Sequence, residues 1–304
     1  MSEQTDTYSA TAEVGAVHKR RSRGQKLALL LKSAPPTAWF GMIVVMLYIL
    51  VAIFADVIAP YGEAEIHPVA FAPWSDEFFF GTDQIGRDVL TRLIYGARNT
   101  MGIALATTFL SFLIGGGLGL VAAINRSWLD QALSRFVDVL MAIPSLIFAL
   151  MLLSIFGSTI SSLILIIAVL DSTRVFRLTR SVAVNVAVMD YVEAAKLRGE
   201  GLGWIMRREI LPNIMPPLVA EFGLRFCFVF LTIAALSFLG VGIQPPTADW
   251  GSMVRANASL IQFAKYDITA AITPLLPAAA IALLTVAVNF IVDWFLQKTS
   301  GLRE

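Results

Sequence analysis

Long apolar runs separated by shorter polar segments make up most of the chain after residue 36. Two runs, residues 100–124 and 268–292, contain no Asp, Glu, Lys or Arg, and each is longer than the roughly 20 helical residues that cross a bilayer core. We interpret both as transmembrane helices. Less uniform runs at residues 37–55, 136–156, 159–170 and 226–241 are further predicted spans. The pattern therefore predicts an all-α, polytopic membrane protein with about six transmembrane helices.

Some of these spans must carry charged residues to reach full length. The run at 159–170 is too short alone, so its helix is expected to include Asp171 at the inner end, with Arg174 as a further candidate. The run at 226–241 extends backwards across Glu221 and Arg225, which are four residues apart and so lie on one helix face. A lone charge at a helix centre costs about 2.5–3.5 kcal/mol, so we expect these two to pair. The pair is either a local structural feature or part of a translocation path.

Composition agrees with a membrane protein and argues against an intramolecular disulfide or a metal site. Hydrophobic residues make up 57% of the 304 residues, charged residues only 15%, and the mean hydropathy is +0.73. The single cysteine, Cys227, lies inside a predicted span, which excludes an intramolecular disulfide. The two histidines, His18 and His67, are far apart and form no metal-ligand cluster. We expect no metal site in this chain.

The distribution of Lys and Arg predicts the orientation. With six spans and an inner N-terminus, the inner segments hold 17 of these residues and the outer segments hold 5. The outer ones are Arg87, Arg92, Arg98, Arg255 and Lys265. Positive residues concentrate on the cytoplasmic side, so both termini are expected in the cytoplasm.

The first 36 residues have a different character from the rest. They are polar, rich in Ser and Thr, and contain the basic run HKRRSRGQK, which predicts a cytoplasmic tail that contacts anionic lipid. A cleaved signal peptide is disfavoured because the apolar run begins late and is long. We therefore divide the chain into this basic tail, residues 1–36, and a transmembrane domain, residues 37–304.

Catalytic motifs are missing from the sequence. No segment fits the phosphate-binding pattern GxxxxGK[ST], so the chain is not expected to hydrolyse ATP by itself. The glycines around Gly115 and Gly119 are not followed by a lysine, and their four-residue spacing favours close helix packing instead. No nucleophile or carboxylate pair has catalytic spacing either. An intramembrane enzyme therefore has no support, and we expect a subunit without catalysis or cofactor.

A basic inner loop, residues 173–215, has an order of residues that predicts helix, turn, helix. Gly199 suits the left-handed position that ends a helix, and Pro212 is expected to stop the second helix. The second helix should present an apolar face with a charged border, formed by Leu202, Ile205, Met206 and Ile210 with Arg207 and Arg208 beside them. A compact apolar surface of this kind suits docking into a groove of a partner.

The same loop resembles a known sequence motif. Glu193, Ala194, Ala195 and Gly199, followed by ILP at residues 210–212, look like the EAA loop of the dipeptide/oligopeptide permease family of ABC importers. Two other segments resemble this family: FGTDQIGRDVLTRLIYGAR at residues 80–98 and LSFLGVGIQPPTADWG at residues 236–251. Asn289 and Asp293 also fall at a separation that the family often shows.

The resemblance implies a type I ABC-importer permease of about six helices, of the C type in its family. It would pair with a homologous second permease and stand on two ATP-binding subunits, which hold the ATP and Mg²⁺. A periplasmic or extracellular solute-binding protein would deliver the substrate, membrane lipid surrounds the helices, and no nucleic acid is expected. Contact with the ATPases is implied for Glu193, Ala194, Ala195, Gly199, Leu202, Ile205, Arg207, Arg208 and Pro212. The substrate stays open among dipeptides, oligopeptides, glutathione, opines and nickel chelates.

Two further sets of residues are candidates for contact with solute or binding protein. The external loop, residues 60–99, is predicted to contain an amphipathic helix along the outer surface, with Asp83 as its cap and an Asp88–Arg92 ion pair. Candidates for external docking are Asp83, Arg87 and Asp88, with a purely structural role as the alternative. Candidates for the translocation path or a gate are Glu221, Arg225, Asn289 and Asp293.

Two other classes of function are alternatives: a secondary transporter or channel, and a structural or receptor subunit. A secondary transporter or channel would couple through intramembrane charges or inverted helix repeats, and neither is evident. A structural or receptor subunit could use the same docking loop without transporting anything. Loss of solute uptake on deletion of the chain would separate this class from a permease.

Overall fold

The computed structural model describes residues 33–125 and 128–299. The chain separates at Pro35 into a short N-terminal unit and a unit of residues 36–304, which contains the helices below. Residues 1–32 of the predicted basic tail lie outside the described part. The helices are α1 (Pro36–Ile53), α2 (Ala55–Ile58), α3 (Val89–Ile124), α4 (Trp128–Ala142), α5 (Ser145–Phe156), α6 (Ile160–Val186), α7 (Asp190–Leu197), α8 (Leu202–Ile205), α9 (Leu211–Leu239), α10 (Trp250–Asn257), α11 (Ile268–Ile272) and α12 (Leu275–Thr299). No strand occurs among these residues, only an isolated bridge between Thr82 and Asp88.

The predicted spans correspond to real helices with two differences. In the described part of the chain, four helices are long and apolar enough to cross a membrane: Pro36–Ile53, Val89–Ile124, Leu202–Leu239 and Ile268–Lys298. The predicted span at 136–156 is instead two helices, α4 and α5, bent by 90° at Pro144. Proline lacks an amide hydrogen and disfavours helix in the residue before it, which explains the break. Helix α6 has 27 residues but carries several charges in its second half.

The segment before α3 differs from its prediction. Helix α3 begins at Val89, capped by Asp88, whose carboxylate accepts the Thr91 amide at 2.7 Å, and it continues without a break to Ile124. No separate surface helix is formed, and Asp83 is not a helix cap. The Asp83 side chain accepts the amides of Ile85 and Arg87 at 3.0 Å each, which closes a turn ahead of the helix.

Helices α3 and α6 pack closely against each other at the predicted glycine positions. A Cβ on Gly115 would overlap the Ser172 carbonyl oxygen, and one on Gly119 would lie 2.8 Å from the Phe176 carbonyl oxygen. The absence of side chains at these glycines therefore allows the two backbones to approach. The prediction of close packing at Gly115 and Gly119 is confirmed.

Two apolar clusters mark the two ends of α3, a helix about 54 Å long at 1.5 Å per residue. The start of α3 packs with α6, α9 and the fully buried Trp250 of α10. The end of α3, including Leu120, packs with residues of the predicted inner loop. The segment that precedes Val89 and the loop around Gly199 therefore lie at opposite ends of the bundle.

Candidate coupling surface and membrane-embedded charge cluster

The inner loop folds as helix, turn, helix around Gly199, as predicted. Gly199 has a φ of +80°, and it ends α7 with two hydrogen bonds. Its own N–H donates to the Lys196 carbonyl at 3.0 Å, and the N–H of Glu200 donates to the Ala195 carbonyl at 3.2 Å. This pair of bonds is the Schellman arrangement, which satisfies the carbonyls at a helix end and places a left-handed residue just after it.

The second helix of the loop does not stop at Pro212. Helix α8 continues through a π-helical turn, Met206–Ile210, into α9, so that Leu202–Leu239 forms one continuous helical segment. Pro212 lies in the first turn of α9. The expected stop there is wrong, because the wider π turn just before Pro212 lets the helix continue past a residue that cannot donate a backbone hydrogen bond.

Part of the predicted outward apolar face is turned inward. Ile205 and Ile210 are 1% and 0% exposed and pack with Leu120 and Ala183 of the bundle. Ala195 is also buried in this cluster. Among the residues that resemble the family motif, Glu193, Ala194, Gly199, Leu202, Arg207, Arg208 and Pro212 are exposed, whereas Ala195 and Ile205 are buried. The buried members attach the loop to the rest of the protein.

The outward face of the loop is a different apolar surface, which we call the coupling surface. It consists of Tyr191, Leu197, Leu202 and Trp204, of which Leu197 is 84% exposed. Its charged border comprises Glu193, Lys196, Arg198, Arg207 and Arg208, all exposed. Leu197 and Trp204 were missed from the sequence. The buried Val192 and Ala195 show which side of α7 faces the bundle, and Leu197 falls outside that side.

A cluster of charged side chains lies within the helical bundle. Arg225 of α9 is 9% exposed, and its Nε lies 2.8 Å from Oε1 of Glu221, so the predicted pair is confirmed. Its Nη1 also lies 3.6 Å from Oδ1 of Asp171 on α6. Ser111 of α3 donates to the other oxygen of Asp171 at 3.0 Å. The cluster therefore joins three helices, and sequence analysis did not place Asp171 in it.

The guanidinium of Arg225 retains hydrogen-bonding capacity. Within residues 33–125 and 128–299, Nε and Nη1 are buried and make no aligned hydrogen bond, so their contacts with the carboxylates are ionic. The Cζ atom lies 4.6 Å from the centre of the Phe228 ring, which adds a cation–π contact. Retaining a charge here requires this combination of partners, because a buried ion is costly without them.

Asn289 and Asp293 lie on α12, which is not one of the three helices that carry the charge cluster. Asn289 is half-buried and Asp293 is exposed. In the described residues, no ion pair joins Asp293 to Arg225. Helix α12 does contact α9 nearby, because a Cβ on Gly223 would overlap the Val292 side chain. The structure thus pairs Glu221 with Arg225, while Asn289 and Asp293 lie on a neighbouring helix and, among the described residues, Asp293 forms no ion pair with Arg225.

The three external docking candidates are all buried. Asp83, Arg87 and Asp88 are 2%, 6% and 3% exposed. Arg87 donates from Nε to Asp83 at 2.8 Å, and Arg92 lies 3.7 Å from the same carboxylate. The predicted Asp88–Arg92 pair is therefore replaced by pairs with Asp83, since Asp88 is occupied as the cap of α3. Burial of these side chains favours their structural role.

Comparison with known proteins identifies the family to which this chain is similar. Residues 115–299 match the family described as binding-protein-dependent transport system inner membrane component, and residues 34–74 match the N-terminal TM domain of oligopeptide transport permease C. The chain is 34% identical over 265 residues to the dipeptide transport system permease protein DppC of Alkalihalophilus pseudofirmus, covering 87% of this chain and 83% of that protein. It is 37% identical over 271 residues to the protein of the same name from Escherichia coli K12, covering 87% and 86%.

Solved structures agree on the fold. The inward-facing MetNI methionine ABC transporter matches with a TM-score of 0.51 at 20% identity, covering 68% of this chain and 97% of that chain. An amino acid ABC transporter with histidines matches with a TM-score of 0.50 at 20% identity, covering 69% and 94%. The fold is thus the all-α permease fold of type I ABC importers. Together, the matched residues and the helical bundle show that this chain belongs to the family of binding-protein-dependent transport system inner membrane components.

Proposed function

We propose that this chain is one permease subunit of an ATP-driven importer of di- or oligopeptides in the bacterial inner membrane. It would form half of the translocation path with a homologous second permease. Peptide substrates are proposed because relatives that are 34–37% identical to this chain over the aligned residues are named as dipeptide permeases. An external solute-binding protein would deliver the peptide, and both termini would lie in the cytoplasm.

The observation that carries this proposal is the coupling surface. Exposed apolar groups bordered by charges are typical of protein-protein contacts. The surface lies on a small helical unit that is held to the bundle by buried residues such as Ile205 and Ile210. We assign its contact to two separate ATPase subunits, which would bind and hydrolyse ATP with Mg²⁺. This chain itself would be non-catalytic.

The continuity of the helix explains how such contact could act at a distance. The segment Leu202–Leu239 contains Leu202 and Trp204 at one end and Glu221 and Arg225 further along. A shift of the coupling surface would therefore be transmitted along one continuous helical segment to the charge cluster. Interfaces of this kind convert small displacements into rigid-body movements of helices. Residues 173–215 are accordingly proposed as the coupling loop of the domain 37–304.

The other candidate residues and segments are assigned to the translocation path, the external side and the cytoplasmic tail. We place Glu221 and Arg225 beside the translocation path, with Asn289 and Asp293 as further candidates on α12. The segment 60–88 is assigned to the external side, where it would meet the binding protein. Within it, the buried Asp83 and its neighbours would maintain the shape of the contact surface. Residues 1–36 are proposed as a cytoplasmic tail on anionic lipid.

Purification of the tagged chain in mild detergent tests the assembly. Mass spectrometry should identify a second permease and ATPases with a GxxxxGK[ST] motif in stoichiometric amounts. The variant Leu197→Glu should lose the ATPases and keep the second permease, because it places a charge at the most exposed apolar side chain of the coupling surface. The matched control is Ile66→Glu, since Ile66 is 63% exposed at the opposite end of the bundle. Recovery of the wild-type chain alone as a stable homo-oligomer would refute the proposal and favour a channel or secondary carrier.

A further inference from the structure

A second feature of the bundle, separate from the coupling surface, is a cavity of about 480 Å³ between α6, α9 and the corner where α4 meets α5. We call it the corner cavity. From α6 it is lined by Leu170, Asp171, Thr173 and Arg174, and from α9 by Phe228 and Thr232 among others. These positions fall near the middle of both helices, which span residues 160–186 and 211–239. The cavity therefore lies at mid-height in the bundle.

Charges of both signs face this cavity. Asp171 and Arg174 line it, and Arg174 is exposed while Asp171 is held by Ser111 and Arg225. With Glu221, the local group contains two carboxylates and two guanidinium groups, so its formal charge is zero. A neutral group with separated charges is suited to a ligand that is itself neutral overall but carries both signs, because neither partner is left with an uncompensated charge.

The spacing of the two charges fits a small zwitterion. Asp171 and Arg174 are three residues apart on one helix, which places their Cβ atoms roughly 5–6 Å from each other. An extended dipeptide spans about 7 Å at 3.3–3.6 Å per residue, so its ammonium and carboxylate groups can reach both side chains. The volume also falls within the range of roughly 300–1,000 Å³ that is usual for small-molecule pockets.

The start of α5 adds a second attraction for a carboxylate. Ser145 and Leu146, the first residues of this helix of 12, line the cavity. The residue before them is Pro144, which provides no side-chain hydrogen bond to the helix end. Unpaired backbone N–H groups at a helix start favour an anionic group. The apolar walls, including Ile143 and Val229, would accept varied side chains without specific polar contacts.

We infer that the corner cavity binds the two termini of a free peptide during passage, Asp171 the ammonium group and Arg174 the carboxylate. This inference rests on the proposed function as a peptide importer. Ser111 and Arg225 act as positioning residues, because they hold the Asp171 carboxylate and touch no ligand themselves. The chain thereby selects for unblocked peptide ends within the membrane, in addition to any selection by the external binding protein.

The test compares two probes in cells whose own copy of this chain is replaced by each variant. The probes are labelled Ala-Ala and its C-terminal amide, which lacks the carboxylate. Loss of one charge-assisted contact is expected to lower the ratio of Ala-Ala uptake to amide uptake by about tenfold in Arg174→Gln. Selection by the binding protein is the same for every variant and so does not change this comparison. Arg174→Lys should restore most of the ratio.

The matched control is Arg177→Gln. Arg177 is exposed on the same helix and does not itself line the corner cavity, although its Nη1 lies 3.6 Å from the Sδ of Met141 in the cavity wall, so its ratio should stay close to that of the wild type. An unchanged ratio in Arg174→Gln, with uptake retained or with both probes reduced equally, would overturn the inference. The proposed function fails in a different way. If the chain is not a peptide importer, wild-type cells should take up no more Ala-Ala than cells lacking the chain. The inference about the corner cavity would then fail together with the proposed function.

Discussion

Replacement of Gly199 isolates the contribution of the turn in the coupling loop. Its φ of +80° is disfavoured for residues with a Cβ, and a Cβ built there would meet no atom within 4 Å. Gly199→Ala therefore adds no steric clash, and its cost is that of the left-handed backbone, about 1–2 kcal/mol. Asn adopts this conformation more readily, so Gly199→Asn should cost less, and the β-branched Gly199→Val should cost more. A cost of 1–2 kcal/mol corresponds to roughly a 5- to 30-fold change in the population of the closed turn.

The assay measures solute uptake per inserted chain together with limited proteolysis of the loop. Insertion should be unchanged in all variants, because the turn lies outside the apolar spans. Uptake should fall and cleavage near the turn should rise in the order Asn, Ala, Val. Gly203→Ala is the control: Gly203 is exposed in the loop, has open space around it and lies in α8, where Ala is at least as favourable as Gly. Equal behaviour of Gly199→Ala and Gly203→Ala would refute the proposed role of the left-handed turn.

Two further predictions concern the bundle and can be measured by thermal unfolding of the purified chain in detergent. Gly119→Ala should lower the free energy of unfolding by about 1–3 kcal/mol. The new Cβ would lie 2.8 Å from the Phe176 carbonyl oxygen and 2.9 Å from the Thr179 Cβ, so α3 would have to move away from α6. Gly117→Ala, which meets no atom within 4 Å, should be neutral or slightly stabilising, and equal effects of the two would contradict the packing argument. The second of these predictions concerns Asp249, the cap of α10, where burial raises the pKa of the carboxyl. Because the folded chain holds this proton more tightly than the unfolded chain, its stability should decrease as the pH rises above about 4. Asp249→Asn still caps the helix but cannot ionise, so its advantage over the wild type should increase from pH 4 to pH 7. A stability difference between Asp249→Asn and the wild type that stays constant from pH 4 to pH 7 would contradict a raised pKa at Asp249.

Local features of the sequence were sufficient for several parts of the site. Gly199 was recognised because a left-handed residue after a helix is a property of a few neighbouring residues. The Glu221–Arg225 pair followed from a separation of four residues on one helix, which places both on the same face. The contact at Gly115 and Gly119 followed from the same periodicity. Each of these inferences depends only on helical geometry and on the cost of isolated charge in the membrane.

Other parts required the folded chain. Asp171 is more than 40 residues away from Arg225, and no local pattern indicates that α6 and α9 bring them together. The apolar face of the inner loop was misassigned for a similar reason. Helical periodicity identifies an apolar face, but only packing against Leu120 and Ala183 shows that Ile205 faces the bundle while Leu197 faces outward.

The sequence by itself determined the all-α class, the approximate position of most apolar helices, the turn at Gly199 and the family, since these depend on local composition, spacing and motif. The tertiary structure decided which helices continue, where the outer segment turns, and which charges meet. In the folded chain, α8 continues into α9 past Pro212, and α3 begins at Val89 with no separate surface helix before it. Arg174 lies beside the corner cavity. These features depend on contacts between residues distant in the chain, whose partners are chosen by the packing of whole helices and not by the residues next to them.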